Sequence, residues 1–199
     1  MDEEASEDYS RLAGVSDVNA KHDSVFKTAG KRLPWLITLT FLSMITATLI
    51  GSFEDTLSKV ALLGAFIPII SGMSGNSGTQ SLAVSVRKIS TGEINEQSKF
   101  LVALREAGSG LISGVVCGIL LIICIVVLHR QPILATIVGG SLTAAMTVGT
   151  LMGAVIPLIM NKLNIDPAVA SGPFITTIND IISMLIYFGL ATTLMSYLI

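Results

Sequence analysis

Charge is scarce in this chain. Asp, Glu, Lys and Arg make up 13% of its 199 residues, where an average soluble domain carries about 25%. That scarcity excludes an ordinary soluble domain with a solvated surface. Histidine and cysteine are scarcer still, with two of each. Cys117 and Cys124 share one apolar run and read as buried thiols, while His22 and His129 stand alone. Two cysteines so placed exclude a disulfide framework, and the pattern holds no thiolate or imidazole metal cluster. There is no Ser–His–Asp set and no thiol beside a base, so an enzyme is not expected. The amino-terminal acids Asp2, Glu3, Glu4, Glu7 and Asp8 lack the pattern of a cleaved signal peptide. The formal net charge of −2 carries little information about partners.

What is abundant is apolar: 51% of the residues are hydrophobic, and the mean hydropathy is +0.76. The chain reads as an all-α integral membrane protein. A polar, partly disordered segment, 1–32, precedes a membrane domain, 33–199. Within the first segment, 24–32 reads either as a short amphipathic helix on the membrane surface or as a linker with a basic stop signal. Five transmembrane helices follow, at about 33–53, 60–86, 104–128, 133–160 and 168–198. Pro34 suits the first turn of a helix and Trp35 the headgroup interface. Residues 87–105 read as a charged loop. Gly110, Gly114 and Gly118 recur every four residues, a spacing that lets two helices approach closely. Asp166-Pro167 reads as the cap and first turn of the last helix.

The basic residues orient these spans. Lys27, Lys31 and Arg32 precede the first. Arg87, Lys88, Lys99 and Arg105 fall between the second and third, and Lys162 between the fourth and fifth. The other side holds Lys59 and Arg130. The positive-inside rule therefore expects a cytoplasmic N-terminus and an external C-terminus.

Asp180 is an ionisable residue deep in the last run, with no Lys or Arg from 168 to 199. Measured from the start of that run it lies on the order of 18 Å in, close to the middle of a ~30 Å hydrocarbon layer. A carboxylate there is costly, and the default reading is functional. Gly172, Thr176, Asn179, Asp180 and Ser183 fall on one helical face within an arc of roughly 100°, opposite Ile178, Ile182 and Leu185. Lipid cannot satisfy such a stripe, so it faces protein or water. One carboxylate among oxygen donors suits a hard cation. The plainer alternative is a stripe that hydrogen-bonds to another helix.

The stretch 71–81 is the second constellation, rich in Gly, Ser, Asn and Gln after a helix-kinking Pro68. It lacks the lysine and preceding strand of a phosphate-binding loop. It reads as unwound backbone lining a cavity, with Asn76, Thr79 and Gln80 facing water, or as close packing through small residues.

Two motifs carry a family likeness. Pro68-Ile69-Ile70-Ser71-Gly72-Met73-Ser74-Gly75-Asn76-Ser77-Gly78-Thr79-Gln80 and Asp166-Pro167-Ala168-Val169-Ala170-Ser171-Gly172-Pro173-Phe174-Ile175-Thr176-Thr177-Ile178-Asn179-Asp180 together resemble the membrane domain of MgtE-type magnesium channels. The likeness covers 24–199, and residues 7–14 resemble the segment just ahead of that domain. It implies a homodimer of five-span subunits with a pore at the subunit interface, lined by spans two and five. It implies that Asp180 of each subunit holds hydrated Mg²⁺, and that Thr176 matches a position whose backbone carbonyl lines the same site. It places Asn76 and the nearby Gly75 and Gly78 on the pore side of span two. Together with Thr79 and Gln80 of the cavity-lining stretch, and Gly172, Asn179 and Ser183 of the polar stripe on span five, they make up the expected pore lining. Residues 24–31 match a short amphipathic helix near the cytoplasmic mouth. The family's full-length bacterial members carry cytoplasmic sensor domains, which thirty-two residues cannot hold.

The expected function is thus passive, channel-like uptake of Mg²⁺ across the cell membrane of a bacterium or archaeon. Mg²⁺ is both ligand and cargo. The expected partners are the bilayer, divalent cations and a second copy, with no nucleic acid. A secondary transporter exchanging a divalent cation for Na⁺ or H⁺ is the alternative. A scaffold subunit without transport of its own is a third reading.

Overall fold

Five long helices are threaded back and forth, and the fold follows from which of their faces are small enough to meet. The computed structural model describes residues 24–93, 99–167 and 171–194. Among them are six helices: α1 Val25–Ser52, α2 Glu54–Lys59, α3 Leu62–Ser90, α4 Lys99–His129, α5 Pro132–Lys162 and α6 Gly172–Thr193. Four of these, α1, α4, α5 and α6, are long and apolar enough to cross a membrane. The fifth long helix, α3, is diluted by its Gly, Ser and Asn residues.

The centre is α5, which packs against α4 on one flank and against α3 and α6 on the other; α1 lies outside, against α6. The contacts fix the directions. Ser74 meets Ala145, and Ser77 meets Thr150, so α3 and α5 run parallel. Ser71 meets Asp180 and Tyr187 meets Leu63, so α6 runs antiparallel to α3. Gly110 abuts Thr150 while Gly118 abuts Gly139, so α4 is antiparallel to α5. Trp35 packs on Phe174 and Phe53 stacks on Phe188, so α1 runs with α6.

Two apolar clusters close the ends of the bundle. The larger gathers Leu63, Phe66, Ile70, Leu134, Leu142, Met184, Tyr187 and Phe188. The smaller gathers Leu82, Val86 and Ile175, with Ile156, Met160 and Phe174 against them. Between the clusters lies a layer of serine, threonine, asparagine and glycine from α3, α5 and α6. The glycines there are spatial necessities. A methyl group on Gly149 would stand 2.8 Å from the Ser74 carbonyl oxygen, well inside van der Waals contact.

The structure corrects several expectations. Residues 71–81 are not unwound: α3 is continuous from Leu62 through Pro68 to Ser90. Its small residues let α5 and α6 close on it, and the packing supports a helix that local propensity disfavours. Residues 24–31 are not a separate amphipathic helix but the first turns of α1, which continues through Pro34. Ser24 caps that helix, its Oγ accepting from the Lys27 N–H at 3.4 Å. The expected 87–105 loop is shorter, because α3 extends to Ser90 and α4 starts at Lys99. Arg87 and Lys88 sit in the last turn of α3, where cations complement the helix dipole. The cap of α6 is Ser171 with Pro173 just inside, rather than Asp166-Pro167. The cysteines are not both buried, since Cys124 is exposed on α4 and Cys117 half-buried. Residues 1–23, where most of the expected polar segment falls, lie outside the described residues.

Candidate functional site

The later start of α6 moves Asp180. It stands about 12 Å from the helix start, in the third turn. Its neighbour in space is Ser71 of α3, whose Oγ donates a hydrogen bond to Asp180 Oδ1. Both residues are only half-buried, at the seam where α3 and α6 meet the outside. One turn earlier, Thr176 is also half-buried, its Oγ1 donating to the Pro173 carbonyl at 2.9 Å. It can approach α3 because Gly75 has no side chain. A methyl group there would lie 3.2 Å from Thr176 Cγ2.

From this seam a strip continues along α3. Pro68, Gly72, Asn76 and Gln80 are exposed at every fourth position, and Thr79 is half-buried, donating to the Asn76 carbonyl at 2.9 Å. From Gly72 to Gln80 the strip is polar or small, between exposed Ile69 and Val84, whereas the outer face of α4 exposes Ile112, Val116, Leu120, Ile123 and Val127.

The other residues of the sequence-predicted stripe lie behind this surface. Asn179 is fully buried, its Nδ2 donating to the Ser74 carbonyl at 3.3 Å and the Gly149 carbonyl at 3.4 Å. Ser183 is fully buried too, and its Oγ donates to the Asp180 carbonyl at 3.1 Å. Gly75 and Gly78 are buried, and any side chain on Gly78 would collide with the Asn179 amide. Gly172, the first residue of α6, is half-buried. So the structure brings Asp180 to Ser71 and Thr176 to Gly75 at the α3–α6 seam, and it exposes Asn76 and Gln80 farther round α3, with Thr79 half-buried. Asn179 and Gly78 form the wedge that joins α3, α5 and α6 behind the seam, while Ser183 bonds within α6.

Sequence reasoning left Ser71, Ser74 and Ser77 unassigned as individual residues. Ser74 Oγ donates to the Ala145 carbonyl at 2.9 Å, and Ser77 Oγ bonds Thr150 Oγ1. Their spacing of three along one helix was the available signal. Among the described residues no group of three His, Cys, Asp or Glu side chains converges. A cation here meets one carboxylate per chain, plus hydroxyl, amide and carbonyl oxygens. That donor set suits a hard, hydrated ion and not a soft one.

A family model described as "MgtE: Divalent cation transporter" matches residues 67–190, well over half of the chain. The chain belongs to the MgtE family. The match takes in most of α3, with Ser71 and Asn76, and most of α6, with Asp180. Named relatives agree. The chain is 45% identical over 199 residues to a protein named magnesium transporter MgtE from Enterococcus faecalis, covering 100% of this chain and 44% of that protein. It is 43% identical over 189 residues to the Bacillus subtilis protein of that name, covering 95% and 42%. It is 32% identical over 201 residues to the Thermus thermophilus protein, covering 98% and 44%. The chain thus spans less than half the length of these MgtE relatives. Membership and the four apolar helices make it a multi-pass protein of the cell membrane.

Proposed function

We propose that this chain forms the membrane pore through which hydrated Mg²⁺ crosses, with Asp180 as the ion site. One observation carries the reading: a carboxylate stands half-buried at an open helix seam of a membrane protein, on a helix pair that also exposes polar groups. Asp180 and Thr176 lie at the seam, and Gly72, Asn76 and Gln80 are exposed on α3. Hydrocarbon cannot satisfy these groups, so water and a second copy of the chain cover them. The relatives are named as magnesium transporters, which fits the donor set. Mg²⁺ sheds water reluctantly and is usually held through several waters. Two Asp180 carboxylates facing each other across a dimer axis attract the ion without stripping it.

The pore walls in this reading are Gly172, Thr176 and Asp180 of α6, with the backbone carbonyl of Thr176 as a further donor, and Asn76, Thr79 and Gln80 of α3. Gly75, Gly78, Asn179 and Ser183 hold that wall in place from behind. All five long helices cross the bilayer. α3 has 29 residues, about 43 Å of helix, and its modest hydropathy reflects a face that meets protein and water instead of lipid. Passive flow suffices as a mechanism, because a divalent ion falling through ~100 mV gains about 4.6 kcal/mol.

The decisive experiment is Mg²⁺ flux into proteoliposomes with Asp180→Ala and Asp180→Asn. Both are expected to lose most of the flux. Wild-type rates in both would remove Asp180 from the mechanism. Electrical recording separates the two transport mechanisms: Mg²⁺ currents without any second ion mark a channel, and strict dependence on Na⁺ or H⁺ marks an exchanger.

A further inference from the structure

We propose that Ser71 determines the ion preference of Asp180, by occupying one of its two carboxylate oxygens. The proposal rests on the reading of Asp180 as the ion site.

Serine and threonine hydroxyls on helices usually turn back to a carbonyl of the preceding turn. Many of the described ones do so: Thr38 bonds Pro34 O at 3.0 Å, Thr40 bonds Leu36 O at 2.8 Å, and Thr136 bonds Pro132 O at 2.9 Å. Ser71 instead donates across to Asp180 Oδ1, joining α3 to α6. The seam around it is closely packed. One turn along, Gly75 admits Thr176 at contact distance, and Asn179 ties α6 to both α3 and α5. The carboxylate therefore has little freedom to swing away from the hydroxyl.

The consequence is chemical. With Oδ1 committed to Ser71, Asp180 presents Oδ2 alone as a fully free oxygen. Ca²⁺ readily takes carboxylates in bidentate fashion, in a flexible shell of six to eight oxygens. A carboxylate with one oxygen held by a hydroxyl is a poor bidentate ligand. Mg²⁺ with its water shell needs only single acceptor oxygens to receive hydrogen bonds from its waters, and loses nothing. Ser71 thus penalises Ca²⁺ relative to Mg²⁺ while leaving the charge that attracts both.

The test measures Mg²⁺ and Ca²⁺ flux in the same proteoliposome preparations for wild type, Ser71→Ala, Ser71→Thr and Asp180→Asn. The Mg²⁺-to-Ca²⁺ ratio is expected to fall about fivefold in Ser71→Ala, the worth of one ordinary hydrogen bond. Ser71→Thr keeps a hydroxyl and is expected to retain the wild-type ratio. Taking the ratio within one preparation cancels any change in the amount of folded protein. If Ser71→Ala carries neither ion, competition of Mg²⁺ and Ca²⁺ for bound Mn²⁺ on the purified variant reads the same ratio. An unchanged ratio in Ser71→Ala, or an equal fall in Ser71→Thr, overturns the role of Ser71 while Asp180→Asn still abolishes flux. Wild-type flux in Asp180→Asn overturns the underlying reading as well.

Discussion

Several buried polar groups in this protein join one helix to another. Asn179 reaches two carbonyls on two other helices, Ser74 reaches α5, and Tyr187 reaches back to the start of α3. Tyr187 is the simplest of these to isolate. It is fully buried among apolar residues, and its Oη donates to the Leu63 carbonyl at 2.8 Å. It lies about 10 Å along α6 from Asp180, two turns on. Tyr187→Phe keeps the ring and its contact with Phe188, and Leu63 keeps its own place in α3. The expected cost is about 1 kcal/mol, one net hydrogen bond. It should appear as a lower thermal midpoint in detergent, with Mg²⁺ flux per folded molecule unchanged. A loss of flux at unchanged stability would mean that the far end of α6 takes part in permeation.

The packing of elements rests on glycine. Gly78 of α3 and Gly153 of α5 meet backbone to backbone, and a methyl group on Gly153 would run into the Gly78 carbonyl. Gly140, on the same α5 helix, has open space where its side chain would be. The two positions make a matched pair. Gly140→Ala should be neutral or stabilise by up to about 1 kcal/mol, since alanine is the better helix former. Gly153→Ala should cost roughly 1–3 kcal/mol through forced separation of α3 from α5, and flux should fall because α3 carries Ser71. Equal behaviour of the two variants in thermal unfolding would refute the close approach. This packing also explains what the sequence could and could not convey. The stripe containing Asp180 was legible, because a helical period places Thr176, Asn179, Asp180 and Ser183 together whatever surrounds them. The division of that stripe into an outward carboxylate and an inward amide was not, since it depends on where α3 and α5 lie. Residues 71–81 looked too poor in helix formers to be helical, because their support comes from helices distant in sequence. The glycines of α4 announced a close partner but not which one. Gly110, Gly114 and Gly118 meet Thr150, Thr143 and Gly139 of α5 in the same chain, so this face is already taken within one copy.

At the scale of the molecule, the alternating directions of α1, α3, α4, α5 and α6 sort the basic residues, although Glu93 and Glu106 share their end. Lys27, Lys31 and Arg32 at the start of α1 share an end with Arg87, Lys88, Lys99, Arg105 and Lys162. The opposite end carries Glu54, Asp55, Lys59, His129 and Arg130. Helices that merely packed in a soluble bundle would gain nothing from this separation. In a bilayer it matches the retention of basic residues on the cytoplasmic side, and we expect the basic end to face the cytoplasm. Ser58 and Ser90 are exposed and mark the two ends. In a chain with Cys117 and Cys124 replaced by alanine, Ser58→Cys should react with a membrane-impermeant maleimide on intact cells. Ser90→Cys should react only once the cells are permeabilised. The reverse pattern would invert the orientation while keeping the crossings. Labelling of both positions on intact cells would mean that α3, the least apolar of the five long helices, does not cross. The polar strip on α3 would then lie outside the bilayer, and the pore assigned to it would have to be abandoned.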